Sequence, residues 1–187
     1  MRHASFAIVL SFVISCGAAG ITHSQPPPSA SQAKTPEKPA DTLARSVHHQ
    51  IQVLPFYSVF DNIESRVEGN RVTLTGQVLR TTLKVSAEAA VKDIEGVGSV
   101  SNQIEVLPAS ETDDELRTDI YRVLFEDDTL KRYAVETVPA IHIIVKNGNV
   151  ALEGWVQSDA DRKLAGARSG EVPNVKSMQN HLVVKPK

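Results

Sequence analysis

The stretch "VEGNRVTLTGQV", Val67 to Val78, returns 78 residues later as "VKNGNVALEGWV", Val145 to Val156. Extended without a gap, the match runs from Val67–Val106 onto Val145–Val184. Across those 40 positions eleven residues are identical: Val67, Val72, Leu74, Gly76, Val78, Ala87, Ala89, Val97, Ser99, Asn102 and Val106 recur at the shifted positions. The identities fall on apolar, Gly and Asn positions while charged positions drift, so one fold is used twice.

Each copy reads as a hairpin. Gly69-Asn70 and Asn147-Gly148 are two-residue turns: Gly in first place suits a type II′ turn and Asn-Gly a type I′ turn. On the return strand Val72, Leu74 and Val78 point one way and Thr73, Thr75 and Gln77 the other. Val150, Leu152 and Val156 repeat the inward set, leaving Ala151, Glu153 and Trp155 outward. A helix follows in each copy, marked in the first by Leu83, Ala87, Ala90, Val91 and Ile94. In the second, Ser158 and Asp161 form a capping box. Gly166 and Gly170 in that helix each cost ~1 kcal/mol relative to Ala, which predicts a looser helix.

The strands "VSNQIEV" and "MQNHLVV" close the copies, and a further helix precedes each hairpin. Leu43, Val47 and Ile51 stripe the first of these helices. Leu116, Ile120, Val123 and Leu124 stripe the second, after a capping box expected at Thr112–Glu115. The fold class is α+β: two tandem αββαβ units, each a small three-stranded mixed sheet packed against two helices. A unit of about 70 residues buries only ~60% of its unfolded surface, so the two should lean on each other.

The N-terminus has a different character. Arg2 and His3 precede the apolar run "ASFAIVLSFVI", which at about 11 residues fits an export-signal core and is short of the ~20 needed to span a bilayer. It ends in "VISCG", where Cys16, the single cysteine, follows Val13-Ile14-Ser15 as in the lipobox of bacterial lipoproteins. Acylation there would tether the protein, with the outer membrane as its address. Cleavage a few residues later would discard Cys16 and release a soluble protein. "SQPPPSASQAKTPEKP", Ser24 to Pro39, has no large apolar residue and reads as an extended, mobile tether. The expected organisation is a signal over 1–20, a tether over 21–40, a first domain over 41–109 and a second over 110–187.

With 20 Lys+Arg against 22 Asp+Glu and no basic stripe, the sequence gives no support to nucleic-acid binding. A lone cysteine makes neither an internal disulfide nor a thiolate-rich metal site. His48 and His49 are adjacent and diverge on a helix, and His142 and His181 are two strand residues without a third ligand. No nucleophile elbow, zinc-helix, P-loop or dinucleotide fingerprint is present, so neither enzymatic activity nor a cofactor is expected.

The strand Val72-Leu74-Gly76-Val78, with its twin Val150-Leu152-Gly154-Val156, resembles the BON domain of bacterial osmotic-stress and envelope proteins. So do the endings Val97-Val100-Asn102-Ile104-Val106 and Val175-Met178-Asn180-Leu182-Val184, and the likeness extends from Asp41 to the C-terminus. Gly76, Gly154, Asn102 and Asn180 carry the signature. Gly96, which precedes the last strand of the first copy, is replaced in the second by Asn174 after Pro173. The resemblance implies a small sheet backed by two helices, without catalysis. It is similar to exported dual-BON proteins, both periplasmic osmotically inducible ones and an outer-membrane lipoprotein. For these it implies association with phospholipid surfaces and upkeep of the envelope.

Candidate contacts are few. Trp155 stands where the first copy has Gln77, and is either an interface residue between the copies or a lipid- or partner-facing ring. On either reading, Trp155→Glu should disrupt function more than Gln77→Glu. Lys131, Arg132 and Tyr133 pair charge with an aromatic ring, against the acidic neighbours Glu126, Asp127 and Asp128. On the acidic helix before them, Tyr121 and Arg122 with Arg117 are the residues suited to a headgroup layer. The expected partner is a phospholipid surface; the alternatives are an adaptor that grips a protein partner in the envelope and a chaperone-like stress protein. Sequence does not define the oligomeric state.

Overall fold

The computed structural model describes residues 39–135, 138 and 140–185, and residues 36–187 cluster as one compact unit. The expectations for the signal, for Cys16 and for most of the tether lie outside the described residues.

The first copy runs α1 (Pro39–Gln52), β1 (Asn62–Glu68), β2 (Arg71–Val78), α2 (Thr81–Lys92), β3 (Ser99–Asn102) and β4 (Glu105–Val106). The second runs α3 (Glu111–Phe125), β5 (Ile141–Lys146), β6 (Asn149–Val156), α4 (Asp159–Gly170), β7 (Ser177–Asn180) and β8 (Val183–Val184). A 3₁₀ turn, Lys131–Ala134, interrupts the α3–β5 connection. Each sheet is mixed: β1 pairs antiparallel with β2, which pairs in parallel with β3 and β4, and β5 to β8 repeat the scheme.

The turns follow the residues. Gly69 alone has positive φ in the first hairpin, whereas Asn147 and Gly148 both do in the second. Glu68 therefore faces Arg71 and Lys146 faces Asn149 across two-residue loops. Val72, Leu74 and Val78, like Val150, Leu152 and Val156, are buried against the helices. Asn174 takes φ +70 where Gly96 takes +94, so the substitution preserves the left-handed turn.

Two features refine the expected unit. The closing strand is split in two at Gln103 and His181, which donate their backbone N–H to Leu74 O and Leu152 O, and the parallel register with β2 or β6 is the same on both sides of the break. Asn102 and Asn180 stabilise the break in the same way. Each donates its amide to a helix carbonyl, Lys84 at 2.9 Å and Arg162 at 2.7 Å, and accepts the N–H of Ile104 or Leu182 at 3.2 Å. In addition, α3 is capped by Ser110, not Thr112: Ser110 Oγ accepts from Asp113 N at 3.3 Å, and Thr112 Oγ1 sits 3.0 Å from the same hydroxyl. The earlier start is fixed by Asp113. Its buried carboxylate accepts the N–H groups of Asn147 and Gly148 at 2.7 and 2.9 Å, locking the helix onto the hairpin turn.

The units do lean on each other. Val59 is part of the second unit's core and Phe60 packs against it. Ile143 N donates to Val59 O at 2.8 Å, so the α1–β1 loop lies along the free edge of β5. This explains why β5 is buried on both faces while β1 alternates.

Candidate functional site

A cleft of about 410 Å³ opens where the units meet, and it is lined by side chains from both. From the first unit come His48, on α1, and Tyr57, on the α1–β1 loop; from the second come His142, Trp155, His181 and Lys185. The loop is held by Asp61, which is buried and accepts from Ser58 N at 3.1 Å, Ser58 Oγ at 2.7 Å and Leu79 N at 2.8 Å. That frame places the Tyr57 ring 5.6 Å from the His142 ring, tilted by 32°.

Burial dominates the electrostatics. It pushes the Tyr57 hydroxyl up to about 12; the N–H of Ile63, donated to it at 3.2 Å, opposes this, and the charges of Asp61 and Glu64 add to it. Burial likewise holds the His142 imidazole below its ordinary value, against the pull of the Asp61 and Ser58 backbone and the Asp61 charge. Among the described residues His142 Nδ1 is buried without a hydrogen-bond partner.

Trp155 lies half-buried beside the second core, with Tyr133 meeting it edge-on at 6.3 Å and Lys185 Nζ 6.0 Å from its centroid. His181 bonds Glu153 at 2.6 Å, its neighbour on the same outer face. The cleft thus gathers three of the histidines and Trp155. Among the described residues no group of His, Cys, Asp and Glu is arranged to hold a metal ion.

The other sequence candidates are engaged within the second unit. Tyr133 is buried; its hydroxyl donates to Asp161 at 2.8 Å and accepts from Gln157 N at 2.8 Å. Arg132 pairs with Asp161 and lies 5.1 Å over the Tyr133 ring, and Lys131 pairs with Asp128 at 2.7 Å. Burial would raise the Asp161 carboxyl, but the Ser158, Tyr133 and Arg132 donors hold it below its usual range. Arg122 pairs with Asp119 at 3.1 Å, and Tyr121, exposed at its rim, contacts Phe60 and Phe125 at 6.2 and 4.9 Å. These residues do not converge on one surface. Arg117 is buried, donating to Val145 O at 2.6 Å, so it faces no headgroup layer.

Sequence reasoning passed over the α1–β1 loop, "VLPFYSVF" from Val53 to Phe60, which builds the joint and one wall of the cleft. Its signal was available: eight uncharged residues, three of them aromatic, where a polar connection is usual.

Two segments, residues 40–108 and 112–186, match the model of the BON domain. The chain belongs to the BON-domain family. Each αββαβ unit is one such domain, and proteins built from them are generally non-catalytic and envelope-associated. No curated protein matches the chain. Among solved structures it is similar to CdsD, a structural protein of the type III secretion system of Chlamydia trachomatis. The identity is 13% over 78% of this chain and 93% of that one, with a TM-score of 0.28. The C-terminal domain of the same protein gives 13% identity over 76% of this chain and 96% of that one, with a TM-score of 0.27. Likenesses this distant carry no argument about function.

Proposed function

We propose that this is a non-catalytic cell-envelope protein whose tandem BON domains associate with phospholipid membranes and help maintain envelope integrity or osmotic-stress tolerance. The observation that carries the reading is the pair of BON domains, which together occupy almost all of the chain after residue 40. In this reading residues 1–20 direct export, Cys16 is the acylation site, and residues 21–40 tether the domains to the outer membrane. No helix among the described residues is long and apolar enough to cross a membrane; in this reading the domains meet lipid as peripheral modules.

The test is co-sedimentation of the chain lacking residues 1–20 with phosphatidylglycerol-containing and phosphatidylcholine vesicles. The deletion leaves the compact unit from residue 36 whole. Binding to the anionic vesicles supports the reading, and no binding to either kind contradicts it.

A second reading, a protein-binding adaptor, draws on the open groove of about 650 Å³ between α3 and α4. Its apolar residues Val123, Val172 and Pro173 lie among Glu126, Arg168 and Glu171, a mixture suited to a peptide. Capture of one envelope protein, lost on Val123→Asp, with no vesicle binding would favour it.

A further inference from the structure

The α1–β1 loop divides its apolar residues between two destinations. Val59, Phe60 and Tyr57 turn inward to the joint, whereas Phe56 is 74% exposed and Val53 54% exposed. Phe56 also holds φ +67, a left-handed conformation in which a bulky L-residue is an outlier and Gly or Asn would serve better. A strained backbone that presents a bare aromatic ring is not explained by folding, which would favour a polar residue there.

The surroundings of the ring indicate what it meets. The Arg80 guanidinium sits 5.4 Å from the Phe56 centroid, and among the described residues Arg80 has no carboxylate partner. Lys84 follows one helical turn later, and Val85 beside it is 61% exposed. Neither residues 49–60 nor residues 78–87 contain an Asp or Glu. Glu88, the next acid along α2, is engaged by Lys92 at 2.6 Å and by Asn102 at 3.1 Å. The first turn of α2 has no acid either, whereas α3 and α4 both open on carboxylates. The corresponding connection of the second unit carries Glu126, Asp127 and Asp128, and its cations Lys131 and Arg132 are paired with Asp128 and Asp161.

We infer that the Val53–Phe56 tip of the first unit is the membrane contact. Phe56 and Val53 enter the acyl boundary, and Arg80 and Lys84 meet anionic phosphates above it. An apolar wedge flanked by cations matches the layering of a bilayer interface. A second copy is a poorer occupant, because a two-fold contact through this tip would set Arg80 against Arg80. The inference rests on the proposed association with phospholipid and assigns it to a surface.

The experiment uses the chain lacking residues 1–20 in vesicle flotation, as wild type, Val53→Ser/Phe56→Ser and Arg80→Glu. It adds Phe56→Trp in a Trp155→Phe background, read by emission with brominated lipid. Wild type should float with phosphatidylglycerol-containing vesicles. Both surface variants should bind about tenfold or more weakly, with unchanged circular dichroism and urea midpoints no lower than wild type. The indole introduced by Phe56→Trp should shift its emission to the blue and be quenched by bromine. Wild-type flotation with undiminished binding by the variants, or an unquenched indole in the bound Phe56→Trp protein, would overturn the assignment while leaving the lipid reading intact. Wild type that floats with neither phosphatidylglycerol-containing nor phosphatidylcholine vesicles would overturn both. Self-association abolished by Val53→Ser/Phe56→Ser without vesicle binding would identify a second copy as the occupant and also overturn the inference.

Discussion

Replacing Gly154 by Ala should destabilise the second unit severely, and the structure sets the scale. Gly154 has φ +106 on β6, where a Cβ would lie 2.1 Å from Ala140 O and 3.2 Å from its carbonyl carbon. The carbonyl cannot retreat cheaply, because it accepts Trp155 N at 2.9 Å. The backbone conformation costs an L-residue about 1–2 kcal/mol. Overpacking against fixed backbone adds about 1–3 kcal/mol, for a sum of about 2–5. Gly69→Ala is the control: its φ is +64, but nothing lies within 4 Å of the new methyl, so only the conformational part applies, about 1 kcal/mol. With a urea slope of ~2 kcal/mol/M, the midpoint should fall by ~1–2.5 M for Gly154→Ala and by ~0.5 M for Gly69→Ala. Urea titration by circular dichroism reads both. Equal midpoints for the two variants would refute the argument that the close approach, more than the turn, demands glycine. Gly76, with a Cβ contact of 2.1 Å to Asn62 O, should repeat the result in the first unit.

Asp113→Ala leaves the Asn147 and Gly148 amides without their acceptor and should cost about 2–4 kcal/mol, measured by urea titration; a loss below about 0.5 kcal/mol would contradict the locking role. Tyr133→Phe removes the donor to Asp161 and the acceptor of Gln157 N, for about 1–3 kcal/mol in the same assay. Stability should also depend on His142. Its folded-state pKa is depressed, so as pH falls below about 6.5 the unfolded chain takes up a proton that the folded chain refuses. Urea midpoints should therefore drop between pH 7.5 and pH 5.5, and His142→Phe should flatten that part of the profile. An identical slope in the variant would remove His142 as its source.

The repeat, both hairpins and the helix stripes were legible because each rests on local chemistry: alternation for the strands, Gly or Asn-Gly for the turns, apolar spacing for the helices. The recurrence of Asn102 at Asn180 was visible too, but not its cause, since the helix carbonyls they reach lie 18 residues away in sequence. The cap of α3 was misplaced by two residues because Ser110 and Thr112 each stand three residues before an acid. The choice between them is made by the distant turn that Asp113 holds. Likewise Asp161 replaces the apolar Leu83 of the first copy, and only the fold brings Tyr133 and Arg132 to pair it. The candidate surface was the least legible part. Lys131, Arg132 and Tyr133 look free as a sequence and are occupied in the structure. Phe56 lies in a run that reads as core, and its exposure follows from a backbone angle.

The most direct test of the central claim is the affinity of the chain lacking residues 1–20 for phosphatidylglycerol-containing vesicles, compared at low and near-physiological salt with phosphatidylcholine vesicles. An interface that combines apolar insertion with flanking cations predicts preferential binding to the anionic vesicles, weakened but not abolished as screening shortens to ~8 Å. Absence of binding to both vesicle types at low salt would contradict it.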